Sequence, residues 1–118
     1  MFRIRRQHRA AFVEAAVRDF EKRMVAHLRE CFSEQCADLG DEELRAIVAY
    51  GRERAALYGI DLERHVCLYI DLMFGVGRDF DEDPALPARQ ILVDPAIHPI
   101  DRIDRVYDAV LGALPDGG

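Results

Sequence analysis

The sequence predicts an all-α fold, a compact bundle of four to five helices arranged around a central, apolar third helix. Three observations carry this expectation. Apolar residues recur at three- and four-residue steps through most of the 118-residue chain, which places them on one face of successive helices. Tight punctuation such as Tyr58-Gly59-Ile60-Asp61 and Asp94-Pro95 falls between those stretches, where helices must stop. No segment reads as a convincing strand: residues 90–93, Gln-Ile-Leu-Val, are the one extended-looking run, and an isolated strand has no partner.

The first helix is expected over residues 7–32. Val13, Ala16, Phe20, Met24, Leu28 and Cys31 mark one face, and Glu14, Arg18, Glu21, Lys22 and Arg29 the other. Glu14 and Arg18 form an acid-before-base pair at a spacing that mildly supports a helix. Residues 33–40 read as a turn. A second helix then runs over 41–58, with Gly40 as its N-cap and Leu39 and Leu44 spaced for a hydrophobic staple. Asp41, Glu42 and Glu43 in its first turn suit the positive end of the helix dipole. Leu44, Ile47, Val48, Ala55 and Tyr58 form its apolar stripe, and Gly51 in mid-helix points to the close approach of another helix.

Gly59 suits the left-handed position that ends a helix, and Asp61 suits the N-cap of the next. The third helix runs from there to Phe74 or Gly77. Its segment Val66-Cys67-Leu68-Tyr69-Ile70-Asp71-Leu72-Met73-Phe74 is apolar on nearly every side, broken only by Asp71, and such a helix wants to be surrounded. An acidic, aromatic-bearing loop follows, Arg78-Asp79-Phe80-Asp81-Glu82-Asp83, framed by Pro84 and Pro87. A short helix over 87–93 tolerates the proline in its first turn. The last helix, over 99–114, places Ile103, Val106, Tyr107, Val110 and Leu114 on one face. Residues 1–9 are expected to form a basic N-terminal arm and 115–118 a disordered tail.

Length suits one domain, and half the residues are apolar with 32% charged, a globular balance. The formal net charge of −6 argues against nucleic acid and anionic membrane as partners. Only residues 1–9, with four arginines and no acid, run against that trend. No run approaches the roughly 20 apolar residues of a membrane span. Glu14 interrupts the segment after the arginines before a signal-peptide core develops. A cytoplasmic protein is therefore expected, and its three cysteines, Cys31, Cys36 and Cys67, are expected as reduced thiols.

No catalytic signature is present: there is no phosphate-binding glycine loop, nucleophile elbow or HExxH. The aspartates at 79, 81 and 83 open like a calcium loop, but Pro84 stands at the sixth position and Gln90 at the twelfth, where glycine and glutamate are needed. His27 and Cys31 share a helix face, with Cys36 a few residues on, but a structural zinc site wants four ligands. His65 and Cys67 cannot face the same way on a helix. Asp71 reads as a narrow polar stripe, with Arg64 and Arg78 near its face. No catalytic residue, metal or cofactor is expected. The loop is instead expected to bind a protein, with an exposed Phe80 and Leu86 as apolar anchors and Asp79, Asp81 and Asp83 supplying charge complementarity. A helix hairpin with spare apolar surface also leaves room for a homodimer.

His27-Leu28-Arg29-Glu30-Cys31-Phe32, Asp41 to Ala49, Gly51, Arg54-Ala55, Tyr58-Gly59-Ile60, Tyr69 to Phe74 and Asp79 to Pro84 together resemble a family of small bacterial proteins. The genes of that family tend to sit beside type VI secretion spike, PAAR-domain and effector genes. The resemblance covers residues 10–95. Members often carry a tryptophan after the Leu-Pro pair, where this chain has Ala88, and this chain has no tryptophan at all. The resemblance implies an accessory role around effector loading, as adaptor, chaperone or co-delivered partner. An immunity protein that covers a toxin is the alternative, since acidity would steer it to a basic nuclease. A small enzyme or ligand-binding domain of another class is the third.

Overall fold

The computed structural model describes residues 6–113, with side chains described for 13–112. Residues 1–5 of the expected basic arm and the expected tail lie outside the described residues, whereas residues 6–9 open the first helix. The described residues form six helices and no strand: α1 (Arg6–Cys31), α2 (Ser33–Cys36), α3 (Asp41–Leu57), α4 (Glu63–Gly75), α5 (Ala88–Leu92) and α6 (Pro99–Ala113). The all-α expectation holds, and each long helix falls within two residues of its expected bounds. The additional element is α2, a single turn inside the segment read as irregular. The chain divides within α3 into two compact units, Met1–Val48 and Ala49–Gly118, and each is described in turn.

In the first unit, Phe20, Met24, Val25 and Leu28 of α1 are buried, as are Cys36 of α2 and Leu44 and Val48 of α3. The expected α1 face is realised only in its middle. Val13, Ala16 and Cys31 of that stripe are exposed: helical spacing sets which residues share a face but not how much of that face is covered. Gly40 carries the N-terminus of α3 as expected: its carbonyl accepts from Leu44 N at 3.0 Å, and its N–H reaches Glu43 Oε1 at 3.4 Å. The turn between α1 and α3 is fastened by one arginine. Arg29 donates from Nη1 to the Cys36 carbonyl at 3.3 Å, from Nη2 to the Leu39 carbonyl at 2.9 Å, and from Nη2 to Asp41 Oδ1 at 2.6 Å.

In the second unit, no residue of α4 from 65 to 74 is fully exposed. His65, Val66, Tyr69, Ile70, Leu72 and Met73 are buried, which is the enclosure expected of an all-round apolar helix. A Cβ placed on Gly51 would stand 2.7 Å from Ile70 Cγ1 and 2.9 Å from Met73 Sδ. The mid-helix glycine of α3 is thus what lets α4 approach. Helix α6 packs on α4 and α5 through a face that includes Ile103, Val106 and Val110, all fully buried.

The corner between α3 and α4 turns on Gly59, whose φ of +76° is a left-handed conformation open to glycine. Asp61 does not cap α4 as expected. Leu62 holds the extended N-cap position, with no side-chain cap, and its carbonyl accepts from Val66 N at 2.9 Å. The corner is one residue longer than the reading allowed, which leaves Asp61 outside capping reach. Arg102 of α6 binds the corner to the α5–α6 turn by donating to three carbonyls: Tyr58 at 2.7 Å, Ile97 at 3.1 Å and Asp94 at 3.1 Å.

Candidate functional site

The loop between α4 and α5 stays short-range in its backbone. Phe80 N bonds to the Gly77 carbonyl, Glu82 N and Asp83 N to the Asp79 carbonyl, and Leu86 N to the Asp83 carbonyl. Along this string of turns the five residues from Asp79 to Asp83 separate into two sets, a buried pair, Phe80 and Asp81, flanked by exposed acids.

Phe80 and Asp81 turn inward, each 1% exposed. Both were expected at the surface. The Phe80 ring tilts against Tyr69 of α4 with centroids 4.9 Å apart, a favourable aromatic arrangement. Phe80 is therefore a core residue that seats the loop on α4, and not an exposed anchor.

Asp81 reaches the same region and is met by donors from two helices. Arg54 of α3 donates to its Oδ2 from Nε at 3.0 Å and from Nη2 at 2.6 Å. The Tyr58 hydroxyl donates at 2.9 Å and the Tyr69 hydroxyl at 2.8 Å. Arg54 Nη2 also reaches Glu82 Oε1 at 2.9 Å and Tyr58 Oη at 3.3 Å. Arg54 sits in the last turn of α3 and Tyr58 directly follows its last residue, four positions on, so the end of the helix presents both groups on one side. No buried side-chain nitrogen or oxygen among the described residues is left without a partner.

The electrostatics follow from this geometry. Burial by itself would raise the Asp81 carboxyl, but hydrogen bonds from Arg54, Tyr69 and Tyr58 outweigh it, and the group is held below the usual carboxylate range. The hydrogen bond to Asp81 raises the Arg54 guanidinium further above its already high value. Burial, reinforced by the bond to Asp81, pushes both the Tyr69 and the Tyr58 hydroxyls upward. Asp81 is therefore a fixed negative charge, neutralised on site. A general base needs a reachable carboxylate with a pKa near the working pH, and Asp81 has neither property.

Asp79, Glu82 and Asp83 turn outward and are exposed, and Leu86 is half-buried. Tyr50 of α3 donates to Asp79 Oδ1 at 3.4 Å, and the Arg78 guanidinium lies 4.6 Å from the centre of the Tyr50 ring. Asp83 Oδ1 accepts from Ala85 N at 2.9 Å. An open hollow of about 400 Å³ runs along this surface, lined by Val76, Phe80, Leu86 and the three outward acids among others. Of the expected contact residues, Asp79, Asp83 and Leu86 border the hollow, Phe80 forms part of its wall from within, and Asp81 is shut away beneath.

The remaining candidates separate as well. Cys36 is buried and its thiol is directed to the Leu28 carbonyl at 3.6 Å, whereas Cys31 is exposed with its Sγ 3.7 Å from His27 Nδ1. His65 is buried, with Arg64 Nη2 3.4 Å from its Nε2. Asp71 is half-buried, and together with Cys67 it helps raise the Tyr107 hydroxyl, for which burial is the larger cause. Arg54, Tyr58 and Tyr69 were not singled out as site residues from sequence. The available signal was an arginine and a tyrosine one turn apart on a largely apolar helix face, with a tyrosine hydroxyl to place in an enclosed helix.

Among the described residues, no helix is long and apolar enough to cross a membrane. Comparison with protein-family profiles, with curated proteins and with solved structures returns no match.

Proposed function

We propose that this chain is a non-enzymatic protein-binding accessory, an adaptor, chaperone or co-delivered partner in a bacterial type VI secretion or toxin-effector setting, acting in the cytoplasm. The family resemblance suggests the setting. The observation that carries the binding reading is the two-sided loop: Asp81 locks it from inside, while Asp79, Glu82 and Asp83 stand exposed around a hollow with an apolar wall. A loop held rigid before binding loses little conformational entropy on association. Its acids complement a basic partner surface, and its apolar wall gives that partner something to bury.

The partner-binding residues in this reading are Asp79, Asp83 and Leu86, joined by Glu82, with Phe80 and Asp81 as their support. The test is a tagged pull-down from the native host comparing wild type with the double variant D79K/D83K, both positions being exposed. Capture of a spike or effector protein by wild type, and its loss from the variant, is the expected result. Equal capture by both removes the loop from the interface. Capture of a single toxin domain, with the chain dispensable for secretion, replaces the adaptor reading with immunity.

A further inference from the structure

We propose that the paired segments 57–63 and 93–101 form a docking surface for a basic amphipathic segment of a partner protein. None of their residues lines the hollow of the α4–α5 loop, so the surface is separate from that loop and does not rest on its reading.

The two segments are held side by side. Arg102 donates to the Tyr58 carbonyl in one and to the Asp94 and Ile97 carbonyls in the other. A Cβ placed on Gly59 would stand 3.2 Å from Pro99 Cβ, so the backbone of the corner lies against the start of α6. Among the described residues of the second unit, five large apolar side chains are exposed, and four of them flank this junction: Leu57, Leu62, Val93 and Ile100. The fifth, Leu111, lies about three turns beyond Ile100 on α6. Single exposed apolar residues are ordinary, but several gathered at one place mark an interaction surface.

Local structure does not account for these residues. Leu57 is 70% exposed at the last position of α3. Leu62 holds the N-cap of α4 and contributes no side-chain cap, where serine, threonine, aspartate or asparagine would stabilise the helix by about 1 kcal/mol. A residue that breaks a local preference while remaining half exposed is expected where function requires it.

Charge selects the occupant. Residues 57–63 and 93–101 contain Asp61, Glu63, Asp94 and Asp101 and no lysine or arginine. The arginines that follow them are directed elsewhere: Arg102 to the three carbonyls, and Arg64 with its Nη2 3.4 Å from Nε2 of the buried His65. The apolar side chains are thus bordered by acid, as an apolar core is by a polar rim. A second copy of this chain would set the same four acids against one another across a two-fold interface. Nucleic acid or an anionic membrane would be repelled. A segment with leucine-like residues on one face and lysine or arginine at its edges complements both the apolar side chains and their acidic border.

The experiment is an amide NMR titration of the full chain with a short amphipathic helical peptide of leucine and lysine, beside a peptide of the same pattern with glutamate in place of lysine. Amide shifts at 57–63 and 93–101 are expected with the lysine peptide and not with the glutamate one. This mapping is read on wild type and does not depend on how any variant folds. L57S/I100S, changed at two exposed positions, is expected to bind at least about tenfold more weakly, with its helical circular-dichroism signal unchanged. No shift at these segments, equal shifts with the glutamate peptide, or wild-type affinity in L57S/I100S would each overturn the proposal. So would a dimer in sedimentation that L57S/I100S abolishes, which would make the occupant a second copy. Shifts confined to residues 79–86 would overturn it while leaving the binding reading of the loop in place.

Discussion

The Tyr69 hydroxyl of α4 donates to Asp81 Oδ2 at 2.8 Å, so the central helix and the loop that follows it are joined by a buried charge-assisted hydrogen bond. Arg54 and Tyr58 bring α3 to the same oxygen. Three separate segments of the second unit thus share one anion, and the loop's outer surface takes its shape from that buried connection.

The first prediction concerns acid. Asp81 has a folded pKa below its unfolded value, so its contribution is complete above the unfolded carboxylate value of about 3.9 and is lost as pH falls through the folded one. Removing a donor with Y69F raises the folded value toward the unfolded one. Y69F should therefore cost about 1.5–3 kcal/mol at neutral pH, with a deficit that shrinks as pH falls through the folded Asp81 value, below the usual carboxylate range, as measured by urea unfolding. A Y69F protein as stable as wild type at neutral pH would show that the hydrogen bond to Asp81 contributes nothing.

Gly51 gives a second, opposite in sign to helix propensity. Alanine is favoured over glycine in a helix by about 1 kcal/mol, yet at position 51 its methyl would meet Ile70 and Met73 at under 3 Å. G51A should destabilise by about 1–3 kcal/mol through overpacking. G112A in α6, where nothing lies within 4 Å of the added carbon, should be neutral or stabilising. Thermal unfolding of the two variants checks both signs at once.

Arg102 gives a third. Its guanidinium spans the carbonyls of Tyr58, Asp94 and Ile97, a span that the compact ammonium of lysine cannot cover. R102K keeps the charge but should lose about 1–2 kcal/mol, and amide exchange should quicken at the 58–62 corner and the 94–98 turn together. Quickening at only one of them would mean that the arginine does not couple the two.

Much of the fold was readable because helices announce themselves locally. The stripe of α3, the left-handed Gly59 and the tolerance of α4 for enclosure on every side each depend on residues within a few positions of one another. Gly51 was readable as a contact point for the same reason, although its partners were not. The loop was not readable. Asp79, Asp81 and Asp83 alternate in sequence and look equivalent, and what distinguishes Asp81 is a set of donors 12, 23 and 27 residues away. Phe80 was misplaced with it, since an aromatic among acids looks like a surface anchor until Tyr69 is found beneath it. The arginines that bind backbone carbonyls, Arg29 and Arg102, leave no pattern because carbonyls are present at every residue.

The central claim is that the loop has an inner and an outer acid with opposite roles. The most direct measurement is equilibrium urea unfolding of D81N beside D83N at neutral pH. D81N removes the anion that faces Arg54, Tyr58 and Tyr69 and should cost about 3 kcal/mol. D83N keeps the oxygen that accepts the Ala85 N–H, lies at the surface, and should stay within about 0.5 kcal/mol of wild type. Equal effects of the two substitutions, or a D81N protein as stable as wild type, would contradict the account.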